Sequence, residues 1–160
     1  MKKCKRMFAL LMALMVCCSI CISAGAVEQK DLGSTIDRFY YTVYDKDGNV
    51  KETGILPGPN ERATWHSITL GNGDSVKLKS EDNDYFYAVS GTRINFEMTL
   101  NRTANVAIDF IDDSGNTIED FRGNEMTSCS FTLEDTAYFY VKVTNLSSDQ
   151  IIMKNARLTF

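Results

Sequence analysis

From Ile94 to Thr144 apolar and polar residues alternate with a period of two. Ile94, Phe96, Met98 and Leu100 are separated by Asn95, Glu97 and Thr99. Val106, Ile108 and Phe110 repeat the pattern, and so do Phe139, Val141 and Val143. Successive residues of a strand point to opposite faces, so this period describes strands with one buried and one wet face. Between them lies Asp112-Asp113-Ser114-Gly115-Asn116, whose residue types tolerate the left-handed backbone of a tight turn.

The first half reads in the same way. Phe39, Tyr41 and Val43 alternate with Tyr40, Thr42 and Tyr44, and Asp45-Lys-Asp-Gly-Asn49 turns the chain into a partner strand, Val50 to Ile55. Leu56 to Asn60 holds both prolines and forms a loop. Thr64–Leu70 and Ser75–Lys79 follow as strands, Glu81–Asp84 is an acidic loop, and Tyr85–Ser90 and Arg93–Leu100 flank Gly91 as a hairpin. Ile151–Phe160 closes the chain. No helical stripe interrupts this series. The expected fold is all-β, an antiparallel β-sandwich of jelly-roll or Greek-key type with about eight to ten strands.

The start of the chain is different. Lys2, Lys3, Lys5 and Arg6 precede an uncharged apolar run, Met7–Ile22, and Ala24-x-Ala26 follows. This order predicts a signal peptide over residues 1–26, an exported domain over 27–160 with a polar lead-in at 27–37, and no membrane insertion once the leader is removed. The destination is extracellular or the cell envelope, and the leader has a bacterial style. The leader holds four of the 17 basic residues and none of the 21 acidic ones, leaving 13 against 21, a net charge of −8. Such a domain is repelled by nucleic acid. Four of the five cysteines also fall in the leader, so Cys129 has no intramolecular partner and the fold must rest on its core.

Two features repeat faintly. Asp45-x-x-Gly48-Asn49 matches Asp112-x-x-Gly115-Asn116, and Ser67-Ile-Thr-Leu70 resembles Ser130-Phe-Thr-Leu133. Shared hairpin chemistry accounts for the echo. The second half, carried by Val106–Asn116 and Phe131–Ser148, resembles the pre-peptidase C-terminal domain family of secreted bacterial peptidases. That resemblance implies a non-catalytic, jelly-roll-like sandwich with a role in binding, targeting or secretion, and the expectation here is a stand-alone secreted module.

Candidate chemistry is sparse. His66 is the only histidine and lacks ligand-spaced partners for zinc. Cys129 lies in phase with Phe131 and Leu133, where a thiol is structural. No Gly-x-Ser-x-Gly turn is present, and no nucleophile–base pair stands out. The expectation is therefore a protein that is not an enzyme and needs no cofactor. Asp45 and Asp47, with Asp112 and Asp113, supply hard oxygen ligands from loops and could hold calcium; turn chemistry explains the same residues without metal. Asn101-Arg-Thr103 and Asn145-Leu-Ser147 match the glycosylation sequon, which a bacterial origin would make irrelevant.

The aromatic residues point furthest. If Phe39, Tyr41, Phe139 and Val141 face inward, Tyr40, Tyr44, Tyr138 and Tyr140 face outward, and Trp65 falls opposite Ile68 and Leu70. Flat rings with polar tips suit sugars or protein partners. Tyrosine's preference for strands supplies the plainer explanation. The expected function is a non-catalytic binding module for an extracellular glycan or cell-surface protein. The alternative is a structural or accessory domain that stabilises or assembles secreted or envelope proteins.

Overall fold

A computed structural model of the chain describes residues 34–59 and 67–160. The expected leader, Trp65 and His66 lie outside them. Among the described residues there is no helix. The strands are β1 (Thr35–Ile36), β2 (Phe39–Tyr44), β3 (Val50–Leu56), β4 (Ile68–Leu70), β5 (Ser75–Lys79), β6 (Phe86–Ala88), β7 (Arg93–Leu100), β8 (Asn105–Asp112), β9 (Thr117–Asn124), β10 (Ser128–Thr132), β11 (Ala137–Asn145) and β12 (Ile151–Thr159).

They form two antiparallel sheets. The larger has the order β3-β2-β5-β11-β8-β9, with β6 also pairing with β11. The smaller has the order β1-β12-β7-β10, with β4 also pairing with β12. The alternation seen in the sequence becomes the core between them. Phe39, Tyr41, Val43, Val76, Leu78, Val106, Ile108, Phe110, Phe139, Val141 and Val143 are buried on the larger sheet. Ile94, Phe96, Met98, Ile151, Met153, Ala156 and Leu158 are buried on the smaller. Phe110 sits at the centre of an aromatic cluster, 4.7 Å from the ring of Phe131 and 6.1 Å from that of Phe139. No disulfide is needed for a core of this kind.

The faint echo extends well beyond turn chemistry. In both hairpins, β2–β3 and β8–β9, the aspartate opening the turn binds the asparagine closing it. Asp45 accepts from the Asn49 amide N–H at 2.8 Å and from Asn49 Nδ2 at 3.0 Å. Asp112 accepts from Asn116 at 2.7 and 3.0 Å. Gly48 and Gly115 take the left-handed conformation, with φ of 86° and 89°. A register shift lies at the same point in each, between Val43 and Tyr44 and between Phe110 and Ile111. Each hairpin caps one edge of the larger sheet. The next strand, β4 or β10, joins the smaller sheet, and the one after it, β5 or β11, returns to the middle of the larger. Both sheet orders are thus nearly palindromic about β5–β11 and β12–β7.

The expected strand number falls short of the observed twelve. β1, β4 and β6 have two or three residues each, too few for alternation to register. β9 is a further strand, in a polar stretch whose only large apolar residues, Ile118 and Phe121, are three apart and give no alternation. The expected hairpin about Gly91 is a crossing between sheets: β6 pairs with β11 and β7 with β12 and β10. Gly91, with φ of 83°, donates to the Leu133 carbonyl at 2.8 Å, and Leu133 donates to the Thr92 carbonyl at 2.9 Å. The turn is thereby tied to the β10–β11 connection, so β6 and β7 do not pair. The sequon at Asn145 is closed. Its side chain is fully buried and donates to the carbonyls of Leu70, Gly71 and Asp149.

Candidate functional site

The outward face of the larger sheet collects nearly all the tyrosine in the protein. The chain has seven tyrosines. Tyr41 points into the core, at 4% exposure. The other six lie on the outer face: Tyr40 and Tyr44 on β2, Tyr85 and Tyr87 at β6, Tyr138 and Tyr140 on β11. Strand parity places them there, because each alternates with a buried neighbour, Phe39, Val43, Phe86 or Phe139.

Strand pairing then brings the rings together. Tyr87 is opposite Tyr138 in the β6–β11 register, with centroids 4.8 Å apart. Tyr85 and Tyr140 follow at 6.0 Å. Tyr138 is 49% exposed, leaving much of it available for contact. Two strands away, Tyr44 borders a cleft of about 360 Å³ that Asp45, Gly73, Lys77, Tyr140 and Lys142 also line.

Lysines interleave with the rings. Lys77 Nζ stands 3.7 Å from the centroid of Tyr140, and Lys79 Nζ 4.3 Å from that of Tyr85. Tyr40 is opposite Lys79 in the β2–β5 register. Burial, and then the charge of Lys79, lowers the pKa of Lys77 below that of a free lysine. Burial raises the pKa of Tyr140, with the nearby Tyr85, Tyr44, Asp109 and Asp112 adding to the rise. Its phenol therefore stays protonated at neutral pH and can donate a hydrogen bond. Beyond Lys142 lies Asp109, whose pKa burial raises despite Arg122 at 3.8 Å and Lys142 across the register.

The structure thus puts Tyr40, Tyr44, Tyr138 and Tyr140 on one face, and adds Tyr85 and Tyr87. These two carry the same parity signal, in Tyr85-Phe86-Tyr87. The lysines gave no signal, because their place beside the rings depends on β5 lying between β2 and β11. The aspartates have local roles. Asp45 and Asp112 are engaged by their own turns, and the Asp45 carboxylate also accepts from the Asp47 amide. Hydrogen bonds from Asn49 and Asn116 lower the pKa values of Asp45 and Asp112. Among the described residues no three His, Cys, Asp or Glu side chains converge as a metal site requires. Cys129 is half-buried, and desolvation pushes its thiol up to about 12. No helix of the described residues is long and apolar enough to cross a membrane.

No protein-family model matches the sequence, and no curated protein matches it either. Several solved structures are similar to the chain at low identity. A structure described as "CBM4 structure and function" has a TM-score of 0.45 and 13% identity over 72% of this chain and 89% of that one. The C-terminal CBM6 of LamC, a laminarinase from Zobellia galactanivorans, has a TM-score of 0.40 and 12% identity over 79% of this chain and 100% of that one. A Streptococcus pneumoniae fucose binding module has a TM-score of 0.41 and 13% identity over 58% of this chain and 67% of that one.

Proposed function

We propose that the protein is a non-catalytic, exported module that binds a glycan on the outer face of its larger sheet. The observation that carries this reading is the one-sided distribution of tyrosine. Were strand preference alone responsible, the outer face of the smaller sheet would share the rings. That face presents Arg93, Asn95, Glu97 and Thr99 on β7 and Ser128, Ser130 and Thr132 on β10. Tyrosine joins a flat apolar surface to a polar tip, so it can stack on a sugar ring and bind its hydroxyls. Such contacts need a sheet already formed, and the sandwich supplies it at little ordering cost.

Docking of a protein partner has less support. Among the described residues the large apolar side chains most exposed are Val50 on β3, Tyr138 at the start of β11 and Leu146 just beyond its other end, and these stand apart on separate strands or strand ends.

A glycan binding screen, followed by titration calorimetry of the purified protein, tests the reading. Tyr138→Ala and Tyr140→Ala should each weaken binding by about threefold to tenfold, the value of one ring contact, without moving the melting temperature by more than a few degrees. A silent panel, or variants that bind like the wild type, would exclude this face.

A further inference from the structure

The charge on the tyrosine face runs against the charge of the protein. The chain has a formal net charge of −4, yet Lys77 and Lys142 stand directly opposite each other in the β5–β11 register. Lys79 lies two residues along β5. Like charges placed directly opposite destabilise a sheet. Neither Lys77 nor Lys142 is in a close ion pair among the described residues, where the pairs join Arg38 to Glu81, Lys51 to Asp74, Arg102 to Asp149, and Arg122 to Asp109 and Asp120. Asp109, across the register, attracts Lys142 and relieves it in part, and Lys77 has no such acid opposite. The ring of Tyr140 beneath Lys77, and that of Tyr85 beneath Lys79, offset part of the cost. They also hold the ammonium groups over the aromatic surface.

Resting on the glycan reading above, we infer that the face selects an acidic glycan, a chain bearing uronate carboxylates. One carboxylate would lie between Lys77 and Lys142, at the rim of the Tyr140 ring that Lys77 covers. The pairing replaces a like-charge repulsion by two charge-assisted hydrogen bonds. A carboxylate fits better than a densely sulfated chain. Asp45 lines the same cleft and Asp109 is opposite Lys142, so a ligand with several negative charges per sugar would meet these acids as well as the lysines. Tyr138 and Tyr87, away from the lysines, would bear on the neutral part of the next sugar.

The test compares polygalacturonate, alginate and hyaluronan with fully methyl-esterified pectin, a neutral glycan panel and dextran sulfate, all by calorimetry on the purified protein. At least one uronate polymer should bind, and binding should weaken as salt rises. Capping the carboxylates as methyl esters should abolish binding to the galacturonate chain if that is the polymer bound. Lys142→Met and Lys77→Met keep the aliphatic stem and should each cost about tenfold in affinity, with circular dichroism unchanged. Neutral glycans bound as tightly as the uronates, with no effect of the lysine changes, would overturn the acidic assignment while leaving the glycan reading in place. Equal, lysine-dependent binding of dextran sulfate would overturn the choice of carboxylate. Silence across every polymer would overturn both readings.

Discussion

Asn145 offers the most direct test of how the sandwich is held around the site. It ends β11, the strand that carries Tyr138, Tyr140 and Lys142. Its amide donates to Leu70 at 3.1 Å, Gly71 at 3.0 Å and Asp149 at 2.8 Å, while its Oδ1 accepts from the Ser147 amide at 2.9 Å. One side chain thus ties the larger sheet to the β4–β5 turn and to the loop before β12. Asn145→Asp keeps the shape but removes the donors. The three carbonyls that share its two N–H groups lose them, and at neutral pH they face a buried carboxylate. An uncompensated buried charge costs about 3–5 kcal/mol. At about 4 °C per kcal/mol for a domain of this size, the melting temperature should fall by about 12–20 °C. Protonation restores one donor and removes the charge, so the loss below pH 4 should shrink to about 1–3 kcal/mol. The sign follows from linkage. Burial among carbonyls raises the folded pKa of the introduced acid above its unfolded value. The variant is therefore least impaired below the unfolded pKa, near about 4, and loses stability as pH rises through the folded one. Thermal unfolding by circular dichroism at pH 3.5 and pH 7, each against wild type at the same pH, measures both quantities. A drop of less than about 3 °C at both pH values would refute the assigned donor role.

Three further expectations concern the frame. Cys129, with its thiol pushed up to about 12 by burial, should resist iodoacetamide at pH 8 in the folded protein and react once it is denatured; mass spectrometry reads the adduct, and rapid native labelling would contradict the burial. A Cβ on Gly54 would lie 2.9 Å from Tyr41 Oη and 3.0 Å from its ring, so Gly54→Ala should destabilise by about 1–3 kcal/mol in urea unfolding; a neutral result would mean that the Tyr41 ring can leave its 2.5 Å hydrogen bond to Glu52 freely. The depressed carboxyls of Asp45 and Asp112 contribute stability above their unfolded pKa that is lost as pH falls through the folded one. Asp45→Asn with Asp112→Asn should therefore narrow the gap in melting temperature between pH 7 and pH 3, and an unchanged gap would assign acid sensitivity to other carboxylates.

What the sequence made legible depended on parity. β2, β5, β7, β8 and β11 were readable because the inward residues of their central parts are apolar, the buried Asn145 coming only at the end of β11. β9 was not, although it pairs with β8 along most of its length. Its inward positions, opposite Phe110, Ile108 and Val106, are Glu119, Phe121 and Gly123. The register shift sets Ile118 out of phase, which destroys the alternation. β3 shows the same device, with Glu52 opposite Val43 and Gly54 opposite Tyr41. Inward acids and glycines on these edge strands weaken the apolar signal and also discourage edge-to-edge pairing. At the site, parity yields the outward tyrosines. The lysine pairing, and the grouping of Tyr85 with Tyr140, follow from which strands become neighbours, which no local pattern records.

The near-palindromic frame isolates what is one-sided about the tyrosine face. Aligning the two hairpins on their turns sets Phe39, Tyr41 and Val43 against Val106, Ile108 and Phe110, all of them buried. The inward surfaces are equivalent because both must fill one core. The outward residues do not share that constraint, and they differ: Tyr40, Thr42 and Tyr44 correspond to Ala107, Asp109 and Ile111. In the central pair one outward position keeps the symmetry, Lys77 opposite Lys142. A lysine pair on the axis therefore has rings on the β2 and β6 side, and Asp109, Asp120 and Arg122 on the β8–β9 side. Packing and turn chemistry are met by both halves, so neither selects which outward face carries the rings. The proposed ligand, stacked on one side of a charge pair, would supply that selection.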